Sequence, residues 1–309
     1  MKISFAILMI VLILTNCSKK MHISIDNIQT ITDFPSGSGI GYANGKLYAI
    51  GDDSPFLYVI NTDFQIENKI LLYQESEENF KGNRIKKKKK MDFETLEMIS
   101  DKELVIFGSG SKLPQRDVFI RVILEDKPVI ERYFITSFYD TIRNSKPLKD
   151  TELNIEATAY NNGFLYFFNR ANNVIIKTNY QTFLKSLKTN QVPDLSFSQA
   201  KLPIIEGVEA GFSGATFLSN SEIVVTASVE ATDDAYNDGE IIGSLIGIID
   251  ISNFDQPKIK SFTNIPNAEQ NLKVESVTVV SASEKDCTMV LITDDDQGNT
   301  RLIKITASH

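Results

Sequence analysis

One unit recurs five times along this chain of 309 residues, and it restricts what the chain can fold into. The run SGIGYANGKLY at 38–48 can be laid on EATAYNNGFLY at 156–166 without a gap. ETLEMISDKEL at 94–104 and SGATFLSNSEI at 213–223 fit with one extra turn residue, and ESVTVV at 275–280 opens a fifth copy with a longer turn before Met289. The copies begin at 38, 94, 156, 213 and 275, giving spacings of 56, 62, 57 and 62. Each holds short runs rich in β-branched and aromatic residues, such as KLYAI at 46–50 and FLYFF at 164–168, bounded by Gly, Asn and Asp. Such runs read as strands. Four-stranded repeats of this size bury their faces only against one another, so the chain is expected to be all-β, a five-bladed β-propeller. A single turn of helix is expected near 180–187.

Closure of the ring is also legible. The fifth copy has strands near 275–281, 287–293 and 300–306, and then runs out one strand short. An unassigned strand at 23–31 precedes the first copy. Pairing it into the last blade would seal the ring and protect both edges. The alternative is a sixth blade hidden in 133–149 or 188–205, segments that otherwise carry outer strands and loops.

The first residues read as an export signal. Lys2 precedes an apolar run at 5–14, which at ten residues is half of the roughly 20 that a spanning helix needs. The run ends at Leu14, Thr15, Asn16 and Cys17, a sequence that looks like a bacterial lipobox although Asn16 replaces the usual small residue. The domain plan is therefore a signal peptide at 1–16, a lipidated Cys17 with a short tether at 17–22, and one propeller domain at 23–309. Such a protein would sit in a bacterial cell envelope, held to a membrane by Cys17 with the propeller on the periplasmic or extracellular side. The other cysteine, Cys287, has no partner for an internal disulfide and is read as a structural thiol.

Composition narrows the chemistry. The two histidines, His22 and His309, stand at the chain ends, which excludes a Ser-His-Asp triad, a Cys-His pair and a His-rich zinc site. A net charge of −8 argues against nucleic-acid binding, which wants a basic face. The local exception is a basic run at Lys81, Arg84 and 86–90, read as a solvated loop. A monomer is expected.

In a propeller the innermost strands converge on a central channel, so the residues that open them meet at one mouth of it. Here they are Ser38, Glu94, Glu156, Ser213 and Glu275. Three carboxylates about one axis repel where screening is poor, and a hard divalent cation removes that cost. Oxygen ligands of this kind suit Ca2+. The second strand of each blade ends beside the start of the first, which puts Asp52, Ser109, Arg170, Ser228 and Asp294 on the same face. Asp53, Lys112, Glu230, Asp295 and Asp296 stand close to them in sequence. The lysine run 86–90 enters this face just before Glu94.

These residues resemble the calcium-activated nucleotidases of the soluble apyrase type. NGKLY at 44–48 followed by Asp52 and Asp53, FFNR at 167–170, and GFS at 211–213 followed by Glu230 are similar to that family's first, third and fourth blades. The resemblance implies a five-bladed propeller with one central Ca2+ held by a Ser, Glu, Glu, Ser, Glu ring, and hydrolysis of nucleoside di- and triphosphates. The chain departs from the family in having Ser54 and Pro55 after its Asp pair, and no tryptophan. A more distant likeness is to phytase-like esterase propellers, through acid-rich strand ends such as TDDD at 293–296. On either likeness the ligand is a phosphorylated small molecule. Asp52 or Asp53 would be the general base. Arg170, Lys112, Ser109, Glu230 and Asp294 would bind substrate. The alternative is a non-catalytic propeller that binds a ligand or partner and keeps calcium as an axial staple.

Overall fold

Two hairpins show how the repeat becomes structure. Asn44-Gly45 and Asn162-Gly163 both have positive φ, +51° and +74° in the first and +50° and +82° in the second. That is the backbone of the two-residue turn whose twist matches a β-hairpin, and Asn-Gly adopts it with the least strain. Each turn joins the first and second strands of a blade.

In the computed structural model, which describes residues 21–189, 191–231, 240–266, 273–294 and 298–308, five four-stranded antiparallel sheets surround an axis. From the axis outward, blade 1 is Gly37–Ala43, Lys46–Gly51, Phe56–Asn61 and Ile66–Leu71. Blade 2 is Phe93–Ser100, Glu103–Gly108, Val118–Ile123 and Val129–Phe134. Blade 3 is Ile155–Asn161, Phe164–Asn169, Val174–Asn179 and Ser196–Gln199. Blade 4 is Gly211–Phe217, Glu222–Ala231, Glu240–Asp250 and Lys258–Asn264. Blade 5 is Lys273–Ala282, Asp286–Asp294 and Thr300–Ser308, and its outermost strand is the N-terminal His22–Ile31. His22 pairs with Ser308 and Ile31 with Thr300, so the expected closure is present. No sixth blade exists among the described residues.

The core is divided into five apolar clusters, one between each pair of neighbouring blades. Between blades 1 and 2, for example, Ile50 and Leu57 meet Leu96 and Ile106. Between blades 5 and 1, Ile292 and Leu302 meet Phe34, Ala49 and Tyr58. This is the burial that no single blade can achieve.

Helix Tyr180–Ser186 lies where a helical turn was expected, its first turn capped by Asn179, whose side chain accepts from the Thr182 N–H at 3.0 Å. A second helix, Thr136–Arg143, lies in a segment expected to hold only strand and loop. Its signal was present in Ile135, Phe138, Tyr139 and Ile142, apolar at i, i+3, i+4 and i+7, and all four are buried between blades 2 and 3.

Candidate functional site at the mouth of the axis

Every innermost strand begins with the same irregularity. Gly37 pairs with Gly51 and Gly39 with Ile50, so Ser38 is left over. In the same way Glu94, Glu156, Ser213 and Glu275 fall in the register shifts between Phe93 and Thr95, Ile155 and Ala157, Phe212 and Gly214, and Val274 and Ser276. All five residues expected at the axis occupy a β-bulge, a device that releases one residue from the ladder and re-aims its side chain. The next residue is small in each case: Gly39, Thr95, Ala157, Gly214 and Ser276. A Cβ on Gly39 would lie 2.8 Å from the Leu96 nitrogen, and one on Gly214 would lie 2.7 Å from the Ser276 Cα. At these two places the neighbouring innermost strands can approach as they do only because a Cβ is missing.

The bulges open on a cavity of about 800 Å³. Ser38, Glu94, Glu156 and Glu275 line it, whereas Ser213 is fully buried beside Thr226, its hydroxyl 3.2 Å from Thr226 Oγ1. The residues two places earlier, Ser36, Asp92, Asn154, Gly211 and Lys273, also line it, although Ser36 and Asp92 stand just before their strands with φ of +49° and +57°. In blades 3 and 5 this earlier residue supports the glutamate. Asn154 Nδ2 donates to Glu156 Oε1 at 2.6 Å, and Lys273 Nζ lies 3.1 Å from Glu275 Oε1. In blade 2 the position holds Asp92, which has no proton to give when ionised. Glu94 accordingly has neither a hydrogen bond nor an ion pair among the described residues, while Asp52, Asp92 and Glu94 bring carboxylate oxygens within 4.8 Å of one another.

Cations are threaded among these acids. Lys90 bridges Asp52 and Asp92, 2.8 Å from the latter, and Arg116 approaches Asp92 from the other side at 2.7 Å. Arg84 Nε lies 2.5 Å from Asp53 Oδ2, which also accepts from Ser36 Oγ at 3.1 Å. Across the mouth, Arg170 lies 2.9 Å from Glu230 and 3.7 Å from Glu156, and donates to Ser228 Oγ at 3.0 Å. Lys273 is shared between Glu275 and Glu230, 3.5 Å from the latter. Setting aside exposed rim residues, eight carboxylates face five cations in the lining, so the mouth carries an excess of negative charge when all are ionised.

Burial, modified by these neighbouring charges, governs the titration of the acids. Burial first, then Asp92 and Glu156, push the Glu94 carboxyl well above the usual carboxylate range. Burial raises Glu156 to about 7, with Arg170 opposing the rise and Glu275 adding to it. Asp52 is raised to about 6 by burial against the pull of Lys90. Asp92 goes the other way: despite burial, Lys90 and Arg116 hold it below its ordinary value.

Of the other residues expected here, Asp52, Asp53, Arg170, Ser228, Glu230 and Asp294 line the cavity. Arg170 approaches Glu156 in its own blade and pairs with Glu230 across the boundary to blade 4. Ser109 is fully buried outside the lining and donates to Asp92 Oδ2 at 2.6 Å. Lys112 is exposed and outside the lining; the basic group in that region that reaches the mouth is Arg116. The basic run is only partly a solvated loop. Lys88 and Lys89 are exposed outside the lining, Lys81, Lys86 and Lys87 stand on the rim, and Lys90 reaches the acids. Cys287 is half-buried, and burial pushes its thiol up to about 11. Cys17 with its signal sequence, Asp295 and Asp296 lie outside the described residues.

Asp92, Arg116 and Lys273 were not foreseen as parts of the site, whereas Lys90 belongs to the lysine run expected to enter this face. Asp92 and Lys273 had a signal in the i−2 spacing from Glu94 and Glu275. Arg116 had none, because a loop brings it in.

Similar folds occur in solved structures of varied description. Glutaminyl cyclase from Myxococcus xanthus matches with a TM-score of 0.52 at 12% identity, over 94% of this chain and 97% of that one. The major allergen of Malassezia sympodialis matches with a TM-score of 0.49 at 11% identity, over 90% and 94%. A putative glycoside hydrolase from Parabacteroides distasonis gives 0.48 at 12%, over 92% and 88%. At these identities the likeness concerns the fold alone. No curated protein matches the sequence. A family model does match, over residues 33–306, from the strand entry of blade 1 to the last strand of blade 5, and the chain belongs to that family, DUF6929, a family of unknown function.

Proposed function

We propose that the mouth binds one calcium ion together with a phosphorylated small molecule, and that the protein is a lipid-anchored phosphohydrolase of the cell envelope. The observation that carries this reading is Glu94, a carboxylate in a polar cavity with Asp92 and Asp52 beside it and, among the described residues, no hydrogen-bond donor of its own. An all-oxygen donor set with surplus negative charge fits a hard divalent cation. Glu94 would be the central ligand. Its companions would be either Ser38, Glu156 and Glu275, the axial residues that line the cavity, or the rim pair Asp52 and Asp92. When bound, the ion would offset charge on phosphate oxygens and help to orient water.

The chain's own residues supply the remaining roles. Arg170, with its planar fork, is the phosphate-binding group, and Glu230 and Ser228 orient it. Asp52, raised to about 6, is the general base suited to neutral pH. Asp53 is held by Arg84 and Ser36 and acts as a positioning residue.

Thermal unfolding with calcium and with chelator tests the metal, since an ion that binds only the folded state raises Tm. Glu94→Gln should abolish the rise. Loss in Glu156→Gln but not Asp92→Asn assigns the axial set, and the reverse assigns the rim pair. An unmoved Tm in the wild type removes calcium from the reading. Phosphate release from nucleotides, inositol phosphates and generic phosphoesters, with and without calcium, tests the reaction.

A second reading, a binding propeller without catalysis, draws on a different observation. Arg170 and Lys273 each already contact two carboxylates, so much of the mouth is neutralised by the chain itself. Calcium-dependent stabilisation with no release from any phosphoester would favour it.

The anchor at Cys17 belongs to the same proposal. A fatty-acid probe in a lipoprotein-processing bacterial host should label the wild type and not Cys17→Ala; equal labelling of both would end it.

A further inference from the structure

We infer that the end of the propeller opposite the mouth sits on the lipid surface, so that the mouth faces away from the bilayer and its anionic ligand is a soluble molecule rather than a lipid headgroup. This rests on the anchoring proposed at Cys17; the direction follows from where the chain enters the fold. Lys273 pairs with Asp294, Asp294 with Thr300 and Thr300 with Ile31, all at the mouth end of blade 5. Ala282 pairs with Cys287, Cys287 with Ala307 and Ala307 with Ile23, all at the opposite end. The outermost strand His22–Ile31 therefore starts at the far end and runs toward the mouth.

The entry point is fastened. Met21 is 4% exposed and lines a second cavity, of about 310 Å³, with Leu218, Val224, Ile248, Cys287 and Met289. Its packing among these side chains holds the first described residue against blades 4 and 5. Cys17 is four residues earlier, and four residues span at most about 14 Å even when fully extended. The ten residues of His22–Ile31 cover about 33 Å as a strand. With Cys17 at the lipid surface, Met21 stays within reach of it, and the mouth lies farther off than the tether allows it to swing. Tilting can lay the propeller on its side but cannot press the mouth to the bilayer. Among the described residues no helix is long and apolar enough to cross a membrane, so no spanning helix in that part of the chain competes with this attachment.

The test uses the full chain, made in a lipoprotein-processing host and reconstituted in vesicles whose lipids carry a short-range quencher. In a Cys287→Ser background, a fluorophore is placed at Asn83→Cys, on the exposed rim of the mouth, or at Lys285→Cys, on the exposed turn of blade 5 beside the second cavity. Quenching at 285 should exceed that at 83 several-fold, and iodide in the buffer should reverse the order. Equal quenching, or more at 83, overturns the orientation. Cys17→Ala should release the protein from the vesicles. If it stays bound, the anchor itself is wrong, a failure distinct from the first and equally fatal to the inference.

Discussion

Asp92 stands two residues before Glu94 and, after burial, is the strongest influence raising the Glu94 carboxyl above its usual range. In the corresponding places Asn154 donates to Glu156 and Lys273 pairs with Glu275. One blade thus places an acid where two others place a donor, and the cost is a carboxylate with no hydrogen bond or ion pair among the described residues.

Replacing that carboxylate should separate stability from function. Glu94→Gln removes a repelled charge and gives the position a donor for Asp92. In chelator it should be more stable than wild type by about 1 kcal/mol, as is common when a strained functional group is neutralised. In calcium the order should reverse. Denaturant melts under both conditions check it.

Lys90→Met should behave in the opposite way. Lys90 is the cation between Asp52 and Asp92, and removing one partner of a buried charge network leaves the others uncompensated. A loss of about 3 kcal/mol in chelator is expected. Calcium should restore more stability to this variant than it adds to the wild type, because more negative charge then faces the ion.

The pH profile of the metal-free protein follows from the shifted acids. Asp52 at about 6 and Glu156 at about 7 bind protons more tightly folded than unfolded, so stability should rise as pH falls from 8 toward about 5. Asp92, held low, contributes stability above its unfolded value and loses it only as pH falls through its folded one. The metal-free maximum should therefore be mildly acidic, and the stabilisation by calcium should shrink over the same range as protons compete for the carboxylates. Thermal scans at each pH, with and without chelator, would show a maximum at pH 8 instead if these shifts are wrong.

Gly214→Ala should damage the ring itself. Its Cβ would meet the backbone of Ser276 in the neighbouring blade, which cannot give way as a side-chain tip can. An overpacking cost of about 1–3 kcal/mol is expected. Gly39→Ala, facing the Leu96 nitrogen, should cost as much, whichever ligand is present.

Deleting residues 21–31 should abolish cooperative unfolding. The strand Thr300–Ser308 would become an open edge, and the blade 5 to blade 1 cluster would lose Ile31. Loss of the melting transition with increased aggregation is the expected outcome; a sharp transition near the wild-type Tm would show that closure is dispensable.

Much of this architecture could be read from residue order. The two-residue alternation and the Asn-Gly turns are local, and a fivefold repeat of local patterns leaves few ways to bury the apolar faces. The repeat, rather than the alternation, brings Glu94, Glu156 and Glu275 to one mouth, since equivalent positions in equivalent blades meet about one axis. Helix Thr136–Arg143 was also written locally, in the spacing of Ile135, Phe138, Tyr139 and Ile142, but it lies between repeats and so escaped a reading guided by them.

Residue order alone sets the strands, their closure by the N-terminal segment, and which residues open each blade, because these depend on periodicity and on neighbours along the chain. How those residues are partnered depends on the packing of distant segments. Lys90 leaves an apparently solvated run to join Asp52 and Asp92, Arg116 comes in on a loop, and Arg170 crosses to Glu230 in another blade. Charge pairing in a cavity is set by distances between segments far apart in sequence and by the low dielectric of a shared interior, and neither is written in the order of residues along any one strand.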